Sequence, residues 1–596
     1  MKQVSVFTLA LAGLCYFGSA AQAPLQYTIS FSKPSSHYVE VELLLAADAQ
    51  DTVELRLPVW TPGSYLIREF ARNLDGMTAS SEGEPLPVQQ FEKNAWRVVK
   101  APGAALQVRY RVYSKEFSVR TSFLNEEQAS LVGTTYLLFV PKYLQARHEL
   151  NIQPHPKWKN VATALPQTGS SIWQRYAKNY DELVDAPIEI GNFKSFYFEE
   201  AGVQHQVAMP GVNKFPEEDL KKDMAKIVAA ATNIFDHQPN QNYLFIVQHS
   251  VQGGGGLEHS ASTTLQTRKT VYDSPKSYHG LLGLVAHEYF HLWNVKRLRP
   301  VALGPFDYNR ENYTHNLWFS EGFTSYYDNL LLARTRLMAE KEYLNVLSGG
   351  FEAVLGNKGD EVQSVAQSSL EAWIKFYLRN ENSGNISVSY YRKGAMLGFV
   401  FDAALLEATK GSFGLDSVMK RMYHHYALAL DRGFTDAELF TEFQQHLGTE
   451  ADSIFAQYIY GTRPINFVRY AAYAGLVLED TAARKPAAYF GAAWRKQGDR
   501  QYVTALREGS AAWEIGLQTD DVLLKVNGKD QKDFDVWMAQ QQPGTKVKLK
   551  VWRSGEEMTI EGKLGLYPAP LFYLYKQLDA SAQQRLIYEK LVGYPF

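Results

Sequence analysis

The chain has 596 residues, of which 45% are hydrophobic and 21% charged, and 61 Lys+Arg against 63 Asp+Glu leave a formal net charge of −2. That length exceeds what one hydrophobic core serves and predicts about three or four domains. The near-neutral balance, without basic or acidic blocks, gives no ground for a nucleic-acid partner.

Residues 1–23 read as a signal peptide: Lys2 supplies a positive start, residues 4–17 are largely apolar, and Ala21-Gln22-Ala23 is a small-residue cleavage site. The apolar run is shorter than the roughly 20 residues that span a bilayer. An exported chain, periplasmic or secreted and with no membrane span once mature, is therefore expected. Cys15 is the only cysteine, and Leu14 before it is too large for a lipoprotein signal. Cleavage after Ala23 removes the only thiol, so any metal site has to be built from His, Asp and Glu.

Residues 24–195 are rich in strand signals, such as Val39-Glu40-Val41-Glu42-Leu43-Leu44-Leu45 and Leu106-Gln107-Val108-Arg109-Tyr110-Arg111-Val112. They predict an all-β, sandwich-like domain. Residues 196–470 change character. A helical pattern over 217–236 precedes a short strand at 243–248 and a glycine run at 253–256, and from about 278 to 461 most segments have helical periodicity. This describes an α+β domain with a large helical part. Residues 471–565 form a third unit, with strands at 501–505, 522–526 and 546–552 and a small helix at 510–515. The tail, 566–596, carries a short amphipathic helix over 580–592.

The chemistry concentrates in His287-Glu288-Tyr289-Phe290-His291. Residues four apart share a helix face, so both imidazoles reach one ion, with Glu288 beside them to act on water without ligating the metal. Two imidazoles, a carboxylate and an open position suit zinc. The flanks are apolar, and burying His, Glu and His there without partners is costly. Two carboxylates compete as third ligand: 19 residues separate Glu311 from His291, and 29 separate Glu321. Glu311 lies in polar surroundings that read as a solvated loop or helix start. Glu321 lies in an apolar helix, Leu317-Trp318-Phe319-Ser320-Glu321-Gly322-Phe323, where desolvation demands a positive partner. A metal ion answers that demand better than a buried Lys or Arg, so Glu321 is the expected ligand and residues 296–305 an inserted loop.

Trp318-Phe319-Ser320-Glu321-Gly322-Phe323 resembles the segment that holds the third zinc ligand in gluzincin aminopeptidases, and Gly255-Gly256-Leu257-Glu258-His259 resembles their exopeptidase motif. Adding Trp60-Thr61-Pro62-Gly63-Ser64-Tyr65, the Trp-Asn-Val-Lys-Arg-Leu-Arg-Pro ending at Pro300 and Ser389-Tyr390-Tyr391-Arg392-Lys393-Gly394, the order and spacing resemble the PDZ-containing glycyl aminopeptidase family. The resemblance covers nearly the whole mature chain. It implies an N-terminal β domain, a thermolysin-like catalytic domain, a C-terminal PDZ domain, one zinc ion, and removal of N-terminal glycine and, less readily, alanine. It also implies that Tyr391 stabilises the oxyanion; one tyrosine pair among 36 tyrosines would otherwise be read as packing, as Tyr390 is.

An aminopeptidase must hold a free α-ammonium near the metal. Glu258 is the carboxylate placed for it, after a glycine run (Gly255, Gly256, then Leu257) whose bare backbone admits substrate as an added strand. His259 departs from the Asn of the wider superfamily. In the third unit, Gly509-Ser510-Ala511-Ala512-Trp513-Glu514-Ile515-Gly516-Leu517 resembles a bacterial PDZ domain, while Tyr489-Phe490-Gly491-Ala492-Ala493 matches its carboxylate loop only loosely. Peptide binding and packing are equal expectations for that unit. The rival functions are a thermolysin-like endopeptidase and a non-catalytic PDZ peptide-binding protein.

Overall fold

The computed structural model describes residues 23–596 except 483, 485, 531 and 532. The signal-peptide reading falls almost wholly outside the described residues.

The N-terminal part is all β. A seven-stranded sheet contains Leu25–Ser30, Tyr38–Leu45 and Leu106–Tyr113, mostly antiparallel, and smaller sheets of four and three strands complete a sandwich. Alternation drives it. In Tyr38–Leu45 and Leu106–Tyr113 every second side chain is buried, and Val39, Val41, Leu43, Leu106, Val108 and Tyr110 enter one core. Ile188–Gly191 is the last strand of this part, and Lys194–Glu200 opens the next sheet.

The second part is built on a five-stranded mixed sheet ordered Lys194–Glu200, Val203–Met209, Asn242–Ser250, Ser262–Arg268, Gly256–Glu258. Gly256–Glu258 is the antiparallel edge strand, in register Gly256↔Leu265 and Glu258↔Thr263. Helix Glu217–Phe235, with Glu217, Glu218 and Asp219 in its first turn, joins the second and third of these strands. The helical half follows: the histidine helix Pro275–Phe290, the glutamate helix Leu317–Arg334 and the tyrosine helix Tyr390–Ala408. Ser274 caps the first and Ser389 the third, each side chain accepting a backbone N–H of the first turn. Residues 296–305 form turns and a short 3-10 segment rather than helix or strand.

The glutamate and tyrosine helices cross backbone to backbone. A Cβ on Gly322 would lie 2.4 Å from Cα of Gly394, and one on Gly394 would lie 2.4 Å from the Trp318 carbonyl oxygen. The glycines that follow Glu321 and Lys393 are therefore packing requirements, and the crossing carries Tyr391 toward the histidines.

The third unit has its own core of Phe490, Val503, Phe534, Leu549 and Val551 under a sheet containing Ala492–Gln497, Arg500–Leu506, Val522–Val526 and Lys546–Arg553. Residues 476–480, within the range expected for this unit, do not join its sheet. Strand Leu476–Asp480 pairs with Phe572–Lys576, and Leu476, Leu478 and Leu574 join the catalytic core instead. The alternating apolar side chains of both strands lie on that core, so the unit is clamped at both ends. The tail helix Ala582–Val592 also docks there through Ile587, Tyr588, Leu591 and Val592. Among the described residues no helix is long and apolar enough to cross a membrane.

Candidate metal centre and active site

His287 lies in the last turn of the histidine helix and His291 follows its end, the His291 N–H donating to the His287 carbonyl. Their Nε2 atoms stand 3.1 Å apart. Oε2 of Glu321 is 3.6 Å from Nε2 of His287 and 3.2 Å from Nε2 of His291. Among the described residues these three side chains are one of two groups of potential metal-ligating residues whose donor atoms converge within 4.8 Å; Glu258, Glu288 and His291 form the other. Glu311 belongs to neither group and lies in a half-exposed non-helical segment.

The outer ring nitrogens have partners of their own. Nδ1 of His287 is 3.3 Å from Oδ2 of Asp328, and Nδ1 of His291 is 2.6 Å from the Asn294 carbonyl. Nδ1–H donated to these acceptors turns both Nε2 lone pairs inward. Two lone pairs and a carboxylate facing each other at this distance repel unless a cation lies between them, so the residues fit a metal ion. Electrostatics agree. Burial opposes charge on both imidazoles, yet Asp328 and Glu321 raise His287 well above its ordinary value, and Glu321 raises His291. Burial would raise the Glu321 carboxyl, but imidazoles that carry a proton on Nε2 in place of an ion hold it below its ordinary value. The ion-pair partners of Glu321 among the described residues are these imidazoles, not a Lys or Arg.

Glu288 is buried beside the cluster, and desolvation pushes its carboxyl up to about 7. Gly256 makes room for it: a Cβ there would be 2.1 Å from Oε1 of Glu288. Glu258 lies two residues along the edge strand, on the same face, and is buried. Its carboxylate touches Gly63, whose positive φ of 84° forms the turn in Trp60-Thr61-Pro62-Gly63-Ser64-Tyr65 and whose added Cβ would lie 2.6 Å from Oε1. Thus the N-terminal part closes the far side of the site. Leu257 is buried and does not line the cleft, so only its backbone is offered there. Tyr391 lines the cleft, its ring 6.3 Å from that of His287 and stacked on Phe376. Desolvation and the Glu321 charge raise its phenol far above the ordinary value, which keeps it a donor. Tyr390 is wholly buried. The cleft holding these groups has a volume near 680 Å³.

Three family models match the chain: the Peptidase M61 N-terminal domain over residues 26–192, the M61 glycyl aminopeptidase over 280–397 and a PDZ domain over 502–553. The chain belongs to the PDZ-containing M61 aminopeptidase family. It is a metallo-aminopeptidase, a hydrolase of peptide bonds. The solved structure of an aminopeptidase N family protein from Idiomarina loihiensis is similar at 28% identity with a TM-score of 0.89, covering 95% of this chain and 100% of that one. An M1 zinc metallopeptidase from Deinococcus radiodurans is more distant, at 12% identity and a TM-score of 0.48 over 74% of this chain and 94% of that one. No curated protein matches.

Several residues of this M61 site escape a sequence reading. Asp328 stands seven positions after Glu321, two turns along the same helix face, a spacing that could have flagged it. Arg120 and Tyr377 also line the cleft, and neither sits in a motif. His259 finds its partner across the domain boundary: its Nδ1 lies 3.2 Å from Asp185, which also accepts from Ser260 and from Lys296 at 2.8 Å. No local pattern links Asp185 to residues more than seventy positions away.

Proposed function

We propose that this M61 enzyme is a zinc-dependent aminopeptidase that removes N-terminal glycine and, less readily, alanine from peptides. The observation that carries the reading is the position of Glu258, whose carboxylate lies within 4.8 Å of donor atoms of Glu288 and His291. An anionic oxygen beside the scissile bond, held against the Gly63 turn, suits a free α-ammonium. The same turn limits room around the first residue, which favours a residue with little or no side chain. The description of the matching family model as a glycyl aminopeptidase supports the preference.

His287, His291 and Glu321 would hold one zinc ion, which when bound supplies a Lewis acid for the scissile carbonyl and the attacking water. Glu288, desolvated and close to neutral pH in its affinity for a proton, takes a proton from the water and delivers it to the leaving amine. Tyr391 donates its hydroxyl proton in a hydrogen bond to the developing oxyanion. Substrate aligns as an added strand on Gly256–Glu258, the edge strand of the sheet. We further propose that the enzyme acts outside the cytoplasm, a reading supported by the leader sequence and by the absence of cysteine after Cys15.

Hydrolysis of glycyl substrates with free and N-acetylated amino termini, with and without a chelator, tests this. Free glycyl substrates should be cleaved, acetylated ones spared and the chelator inhibitory. Equal cleavage of both forms would establish the thermolysin-like endopeptidase instead.

A further inference from the structure

Arg120 brings a positive charge into the cleft from the N-terminal β part. It lies in the segment between strands Leu106–Tyr113 and Phe123–Leu124. That segment is held in place: the Arg120 N–H donates to Ser118 Oγ, Thr121 Oγ1 donates to the Glu116 carbonyl, and Gln266 Nε2 donates to the Phe117 carbonyl from the central sheet. The guanidinium is underused. Its Nη2 reaches the Gly256 carbonyl at 3.4 Å, a marginal bond, and its Nε is buried without a partner. Among the described residues no Asp or Glu forms an ion pair with it, although it shares the cleft with Glu258, Glu288 and Glu321. A half-buried guanidinium in that state is an anion site waiting for its ligand.

The edge strand gives it an address. Glu258 marks the ammonium end. Gly256 faces the carboxylate of Glu288, the group that serves the leaving amine. A Cβ on Gly255 would meet Nη1 and Nη2 of Arg120 at 3.7 and 3.8 Å. Gly255 precedes the strand, and with Nη2 also at the Gly256 carbonyl the guanidinium lies past the Glu288 contact, on the side away from Glu258. That is where the residue released by cleavage ends.

We infer that Arg120 is a specificity-determining residue that receives the C-terminal carboxylate of the leaving residue, so that glycyl dipeptides with a free carboxyl group are favoured substrates. The inference rests on the aminopeptidase register proposed above and adds a second anchor at the other end of the substrate. Ammonium on Glu258 and carboxylate on Arg120 then measure the length of a dipeptide.

The test compares a glycyl dipeptide acid with its C-terminal amide, using the metal-loaded full chain. In the wild type, KM for the acid should lie about 10- to 100-fold below that for the amide, the range of a charge-assisted hydrogen bond. Arg120→Gln should collapse the ratio toward one, and Arg120→Lys should restore part of it. Loss of a merely structural residue would move both substrates together and leave the ratio, so that result overturns the inference. Equal KM values for acid and amide in the wild type overturn it as well, without any variant. The acetylation experiment is read at the other end of the substrate, so failure of the exopeptidase reading is seen separately.

Discussion

Gly256 is in contact with Glu288 so closely that any side chain at 256 would occupy the carboxylate's place, with Oε1 at 2.1 Å and Cγ at 2.5 Å from an added Cβ. The obstacle is a flexible side chain rather than backbone, so Gly256→Ala should displace the proposed general base without unfolding the enzyme. A positioned general base contributes about 10²- to 10⁴-fold. The variant should therefore lose at least about 100-fold in kcat while keeping its metal content and thermal midpoint. Steady-state kinetics beside metal analysis decide it, and a variant with wild-type kcat would disprove the arrangement.

Asp328 holds His287 from behind, whereas His291 is held by a main-chain carbonyl that no side-chain substitution removes. Outer partners of this kind typically contribute about 10- to 100-fold to metal affinity. Asp328→Ala should release zinc to a competing chelator at correspondingly lower chelator concentration. An unchanged competition curve would show that the imidazole is fixed by packing alone.

What the sequence shows and hides follows from distance along the chain. The convergence of His287, Glu288, His291 and Glu321 is legible because helix periodicity and the cost of burying charge act within one or two helices. The strands of the β part were legible for the same reason, since alternation is local. Gly63 against Glu258, Arg120 against Gly256 and Asp185 against His259 join the two large parts, and no periodicity connects them. Strand Leu476–Asp480 lies within the range expected for the third unit yet joins the catalytic core, because an alternating strand reveals its apolar face but not the surface that covers it.

Asp185 anchors the segment behind Glu258 to the segment after the histidine helix. It accepts from Lys296 Nζ, from Ser260 and from His259, and the Lys296 side chain is only 7% exposed. Removing one partner of a buried ion pair leaves the other charge uncompensated, at a cost of about 3–5 kcal/mol. Asp185→Ala should lose roughly that much unfolding free energy and raise KM for free amino-terminal substrates. Adding Lys296→Met should recover part of the stability, because the stranded ammonium goes with it. Denaturant titration of the three proteins measures both effects, and a double variant less stable than Asp185→Ala would refute the explanation.

Glu189 makes the pH dependence of stability readable at a site away from the chemistry. It is buried where strand Ile188–Gly191 meets the central sheet, accepting from Ser130 Oγ at 2.7 Å and from Gln248 Nε2 at 3.2 Å. Burial pushes its carboxyl from 4.5 up to about 8, although both hydrogen bonds act in the opposite direction. The folded state therefore holds the proton more tightly than the unfolded chain. Its contribution to stability is complete below about 4.5 and is lost as pH rises to about 8. Within that window the loss approaches about 1.4 kcal/mol per pH unit. Glu189→Gln keeps the shape and cannot ionise, so its stability should gain on the wild type as pH rises through the window and then level off. Thermal midpoints measured across that range should diverge in this sense; parallel curves for the two proteins would mean that Glu189 stays ionised in the folded state.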